Sequence, residues 1–128
     1  MINYGFTKEL NVSFVQAVEK ATEGLKKEGF GVLTKIDLKE KFKEKLGVDI
    51  SNYVILGACN PASAHKAIQA EENIGLMLPC NVIVYERGDK VVLSVIKPTV
   101  GMAVIQNVEL KKTAETVEVQ LKRVFDSL

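Results

Sequence analysis

Residues 2–9 alternate apolar with polar and carry Tyr4, Phe6 and Thr7, which predicts an opening strand with one buried face. From Val12 the period changes. Phe14, Val18, Ala21 and Leu25 share one helical stripe, with Glu19, Lys20, Glu23, Lys26 and Lys27 opposite, so an amphipathic helix is expected. Ser13 and Gln16 have the spacing of a capping box that satisfies orphan N–H groups, and Gly29 offers a left-handed stop. Phe30–Ile36 reads as a second strand through Phe30, Val32 and Ile36. Asp37 then caps a short helix, with Glu40 closing a second capping box. Leu38, Phe42 and Leu46 supply its apolar repeat, and Gly47 ends it.

Tyr53-Val54-Ile55-Leu56 is a continuous apolar run, the pattern of a central strand buried on both faces. Asn60 and Pro61 occupy N-cap and first-turn positions of a third helix, whose Ala62, Ala64, Ala67 and Ala70 favour close packing against a sheet. Asn73 and Gly75 end it. Leu76–Pro79 leads into a Val/Ile-rich strand, Cys80–Glu86, and Gly88-Asp89 is a two-residue hairpin turn into Lys90–Lys97. Met102–Gln106 has no clear period and is expected as a buried loop. In the last helix, roughly 109–127, Leu110, Ala114, Val117, Leu121, Val124 and Leu128 form one seam. Over so few turns it predicts a helix laid on its own sheet rather than a coiled coil. The order strand, helix, strand, short helix, strand, helix, hairpin, helix implies a two-layer α+β sandwich. Its sheet is antiparallel or mixed, with helices mainly on one face.

Composition narrows the functional classes. A chain of 128 residues, 47% hydrophobic, suits one domain with a real core, and no repeat, linker or low-complexity stretch divides it. The net charge of +1 supplies no field to draw in nucleic acid or an acidic membrane. No segment approaches the roughly 18 apolar residues of a membrane span. Met1-Ile2-Asn3-Tyr4-Gly5-Phe6 lacks a basic region followed by an apolar core, so no secretory signal is expected. Two cysteines in such a chain point to reduced thiols in the cytoplasm.

Candidate chemistry gathers in two segments that echo each other, Gly57-Ala58-Cys59-Asn60-Pro61 and Leu76-Met77-Leu78-Pro79-Cys80-Asn81. Cys59 ends one expected strand and Cys80 opens the next. Antiparallel pairing of the two would bring both thiols to one sheet edge, within the about 4.4–6.8 Å between Cα atoms that a disulfide or shared ligand requires. Cys59 also precedes a helix N-terminus, whose positive end favours thiolate. Against this stands plain packing, because free Cys is a small, habitually buried hydrophobe. Asn60 and Asn81 fit equally well as capping residues at element boundaries. His65, the only histidine, sits one turn into the third helix. With Cys59, Cys80 and Glu71 or Glu72 it would offer zinc or iron enough donors, although the spacings match no standard zinc module. A Cys–His nucleophile pair is the enzymatic alternative, with no orienting residue identifiable. Met77 and Met102 read as core filling. Nucleotide-binding loops, hydrolase elbows, zincin motifs and C-x-x-C are all absent.

The chain resembles the prokaryotic domain-of-unknown-function family 302. The resemblance rests on Thr34-Lys35-Ile36-Asp37-Leu38, Tyr53 through Pro61, Ala64, Ala67, Glu71, Gly75, Leu78-Pro79-Cys80-Asn81-Val82, Val84-Tyr85-Glu86 and Pro98. Cys-Asn-Pro combined with Leu-Pro-Cys-Asn is its most specific part. The resemblance implies a curved, mainly antiparallel sheet with helices on one face, a β-α-β(4)-α core like the TATA-binding-protein half repeat. A short helix would precede the third strand, and another would join the third and fourth. It also implies a homodimer, but no reaction, no cofactor and no catalytic residue. Three readings compete: a small-ligand, metal or redox-linked binding module centred on Cys59, Asn60, Cys80, Asn81 and His65; an interaction homodimer with no chemistry at the cysteines; and a thiol-dependent enzyme with Cys59 as nucleophile. No nucleic-acid or membrane partner is expected.

Overall fold

A computed structural model describes residues 2–128. Its elements are β1 (Gly5–Leu10), α1 (Phe14–Lys27), β2 (Gly31–Asp37), α2 (Leu38–Leu46), β3 (Tyr53–Cys59) and α3 (Pro61–Ala70). A 3₁₀ helix (Glu72–Met77), β4 (Cys80–Arg87), β5 (Lys90–Ile96), α4 (Pro98–Gly101) and α5 (Val108–Ser127) follow. The five strands form one antiparallel sheet in the order β1-β5-β4-β3-β2. Among the described residues, no helix is long and apolar enough to cross a membrane.

Local signals place most boundaries. Ser13 and Gln16 close the capping box of α1, and Gly29 and Gly47 take φ of 86° and 66° behind α1 and α2. Gly88 at φ 63° turns the β4–β5 hairpin, where Arg87 pairs with Lys90. At Asp37 only half of the expected box forms: its side chain accepts from the Glu40 N–H at 3.0 Å. Asp37 is also the last residue of β2 and pairs with Val54, so the strand runs straight into the helix it caps.

One face of the sheet presents Val54, Leu56 and Ala58 of β3, Cys80, Val82 and Val84 of β4, and Val91, Leu93 and Val95 of β5. Against it lie Ala17, Val18, Ala21 and Leu25 of α1 and Val117, Leu121 and Val124 of α5. The α5 seam therefore meets its own sheet. Burying each Leu or Val there contributes about 1.5–3 kcal/mol.

Four expectations are corrected. β3 is central, yet Tyr53 and Ile55 are only half buried, because neither α1 nor α5 covers the face they occupy. In β2 a bulge between Val32 and Thr34 inserts Leu33, 66% exposed, and moves Ile36 off the face that Val32 shares with Ala58. The Ala-rich α3 packs against α5 rather than the sheet, and only its Ala67 is fully buried. Residues 102–106 are no buried loop: Met102 and Ile105 reach a small second core around Ala67, Ile74 and Leu110, while Ala103 and Val104 are exposed.

Candidate functional site

Ala58 pairs with Cys80 across β3 and β4, so the two Cys-Asn segments lie at the same end of the sheet. Cys80 follows the core face and is 8% exposed. Cys59 is one residue beyond Ala58, opposite Gly31 on β2, and half buried. Strict strand alternation would turn it from Cys80's face. At the strand end both cysteines nevertheless border one narrow cleft, roofed by α3 and α5, with a free volume of about 30 Å³. The cleft exists because small side chains surround it: Ala58, Ala64, Ala67 and Ala114 leave space that larger residues would fill. Met102, Asn60, Ser63 and Thr113 complete the part of the wall that bears sulfur or oxygen.

Asn60 caps α3 as expected, its side chain accepting from the Ser63 N–H at 3.3 Å, and Pro61 fills the first turn. Asn60 also borders the cleft, whereas Asn81 is exposed on the sheet face opposite the helices, across from Gly57. His65 is exposed on α3 and is not part of the cleft wall. Glu72 is exposed, and Glu71 accepts from the Asn107 side-chain amide at 3.2 Å. The cysteines and Asn60 thus come together, and His65 and Asn81 do not join them. Among the described residues no three His, Cys, Asp or Glu side chains converge as metal ligands.

Burial pushes the Cys80 thiol up from 9.0 to about 11, and the neighbouring Cys59 adds to the rise. At neutral pH Cys80 is therefore protonated, a hydrogen-bond donor rather than a nucleophile.

Two positioning residues escaped the sequence reading. Asn107 caps α5 by accepting from Leu110 N–H at 3.0 Å, and its amide donates to the Ala70 carbonyl at 2.6 Å. One side chain so ties the start of α5 to the end of α3, which roof the cleft. Glu118 accepts from the Thr99 N–H and hydroxyl at 3.1 and 2.6 Å, anchoring α4 just ahead of Met102. An Asn preceding a helical seam is a legible cap signal; the Thr99–Glu118 contact has none.

A structural neighbour is a crystal structure of an uncharacterized conserved protein DUF302 from Bacillus stearothermophilus. It is 31% identical, covers 96% of this chain and 96% of its own, and has a TM-score of 0.89. No curated protein matches. The family model described as domain of unknown function DUF302 matches residues 6–128, and the chain therefore belongs to the DUF302 family.

Proposed function

We propose that this domain is a binding module whose working site is the cleft bordered by Cys59 and Cys80. The observation that carries the proposal is that both cysteines, from adjacent strand ends, border one recess beneath α3 and α5. Free volume of about 30 Å³ favours an occupant the size of an ion or one small group, held reversibly. A protonated, buried Cys80 and a His65 turned to solvent favour binding over a Cys–His nucleophile. A cytoplasmic setting with reduced thiols belongs to the same proposal. Alkylation of the native, reduced protein with iodoacetamide tests it: Cys59 should react, and Cys80 more slowly. If neither sulfur reacts until denaturant is added, the cleft is not a working site.

A second reading concerns assembly. On the sheet face away from α1 and α5, Ile36, Ile55, Ile83, Ser94 and Thr7 form one uncharged row across all five strands. Tyr53, Tyr85 and Val92 lie beside it. Ser94 and Val92 are buried within the chain, but the rest of this face, with Ile36 and Thr7 exposed and Tyr53, Ile55, Ile83 and Tyr85 half buried, supports homodimerisation through the sheet. The implied likeness to the TATA-binding-protein half repeat is then one of architecture, since a net charge of +1 offers little to a nucleic acid. Sedimentation equilibrium should give a dimer for the natural chain and a monomer for Ile83→Lys. A natural chain that sediments as a monomer ends this reading.

A further inference from the structure

The chain has two cysteines and three methionines. Apart from Met1, outside the described residues, all of them line two adjoining clefts at one end of the sheet. Cys59 borders the first, Met77 the second, and Cys80 and Met102 stand in the wall common to both. The four come from different places: the end of β3, the end of the 3₁₀ helix, the start of β4 and the turn after α4. Cys80 belongs to the main core and Met102 packs against the second, but Cys59 is in neither cluster and Met77 is 39% exposed, so packing does not account for all four sulfurs collecting there.

We propose that Cys59, Cys80 and Met102 form a site for one soft monovalent ion, Cu(I), with Met77 towards its solvent side. The inference rests on the reading of the cleft as the working site and names its ligand class. Soft thiolate and thioether donors suit Cu(I), zinc and iron–sulfur clusters; two thiolates with a thioether and no imidazole or carboxylate favour Cu(I), because zinc wants four Cys, His or carboxylate donors. His65, Glu71 and Glu72 are absent from the walls of both clefts. An ion also fits the available volume of about 30 Å³. Binding needs no oxidant: Cu(I) displaces the two thiol protons to solvent, two Cu–S bonds form, and the thioether adds a neutral third donor. The resulting bis-thiolate carries one net negative charge. The N-terminus of α3, which begins at Pro61 directly after Cys59 and Asn60, places its positive end beside that charge.

The test is anaerobic titration of the reduced full chain with Cu(I) supplied as its bicinchoninate complex, read by loss of the chelate colour. One Cu(I) per chain is expected to transfer. Cys59→Ser and Cys80→Ser should each weaken retention about tenfold or more, and Met102→Leu should weaken it measurably. His65→Ala should leave it unchanged. Met102→Leu conserves volume, so it keeps the test decisive if Cys80→Ser fails to fold, as judged by circular dichroism. Failure to take copper from the chelator, or equal retention in the natural chain and the Cys59→Ser/Cys80→Ser double variant, overturns the site. So does a Met102→Leu variant that binds like the natural chain. Iodoacetamide labelling of the same metal-free sample separates the two proposals: reactive thiols without copper retention sink the ion alone, and unreactive thiols without retention sink the cleft as well.

Discussion

Tyr53 of β3 and Tyr85 of β4 are cross-strand partners whose rings stack, with centroids 5.2 Å apart and planes 12° from parallel. They lie on the sheet face that α1 and α5 leave uncovered. Burial, Tyr85 and Tyr4 together push the Tyr53 phenol up, because each opposes a phenolate there. Tyr85→Ala should cost about 0.5–1.5 kcal/mol beyond its lost buried area, the usual worth of an aromatic pair. Urea denaturation of the natural chain, Tyr85→Ala, Tyr53→Ala and the double variant would measure the coupling; strictly additive losses would show that the stack contributes nothing.

Alkaline pH should weaken the protein through Cys80. Its folded-state pKa is raised from 9.0 to about 11, so the folded state holds the proton longer than the unfolded chain. The associated stability is whole below the unfolded pKa near 9.0 and is lost as pH rises towards about 11. By linkage the loss is on the order of 2–3 kcal/mol. Cys80→Ala should flatten the stability profile between pH 8.5 and 11 by about that amount; matching profiles for the two proteins would contradict the assignment.

Gly57 tolerates no side chain. A Cβ built there falls 2.7 Å from Cγ of Pro79 and collides with Oγ1 of Thr34. The Thr34 side chain has room to rotate on its exposed edge strand, but the proline ring is rigid, so one clash persists. Gly57→Ala should destabilise by about 1–3 kcal/mol, as overpacking does. Thermal melting of Gly57→Ala and Gly57→Ala/Thr34→Ala checks it, with at most partial recovery in the double variant; a natural melting temperature for Gly57→Ala would refute the clash.

Leu46 and Leu121 each belong to an apolar helical repeat, yet truncation should cost far more at Leu121. Leu121 is fully buried between α5 and the sheet, whereas Leu46 is 70% exposed at the end of α2. Leu121→Ala should cost about 2–5 kcal/mol through the cavity it leaves. Leu46→Ala should change stability by about 0.5 kcal/mol or less. Similar losses in chemical denaturation would mean that α2 is packed far better than its exposure indicates.

The two leucines show where sequence reading stops. Periodicity reports which side of a helix is apolar, and capping residues report where it begins and ends, because both depend on neighbours within one or two turns. For that reason the Ser13–Gln16 box, the Asn60-Pro61 start, the Gly29 and Gly47 stops, the Gly88-Asp89 hairpin and the α5 seam were readable in advance, whereas α3 ends at Ala70 and the expected stop at Asn73 and Gly75 falls inside the 3₁₀ helix. That β3 and β4 would bring the two cysteine segments to one sheet end was legible only on the condition that they pair antiparallel, and the sheet register supplies that pairing.

How far each apolar face is covered was not readable, since coverage depends on elements distant along the chain. Tertiary packing left the Tyr53 face without a helix over it, seated the alanines of α3 on α5, and turned His65 to solvent. It also brought Met77 and Met102 to the cysteines, although a methionine has no local signature that separates gap-filling from a shared wall. By itself the sequence determined most of the elements, though not the 3₁₀ helix or α4, and the place of the thiols on their strands, because short-range hydrogen bonding and steric preference specify both. Only the tertiary structure decided that four sulfur side chains meet around adjoining clefts, because that depends on how α3 and α5 rest on the sheet and on each other.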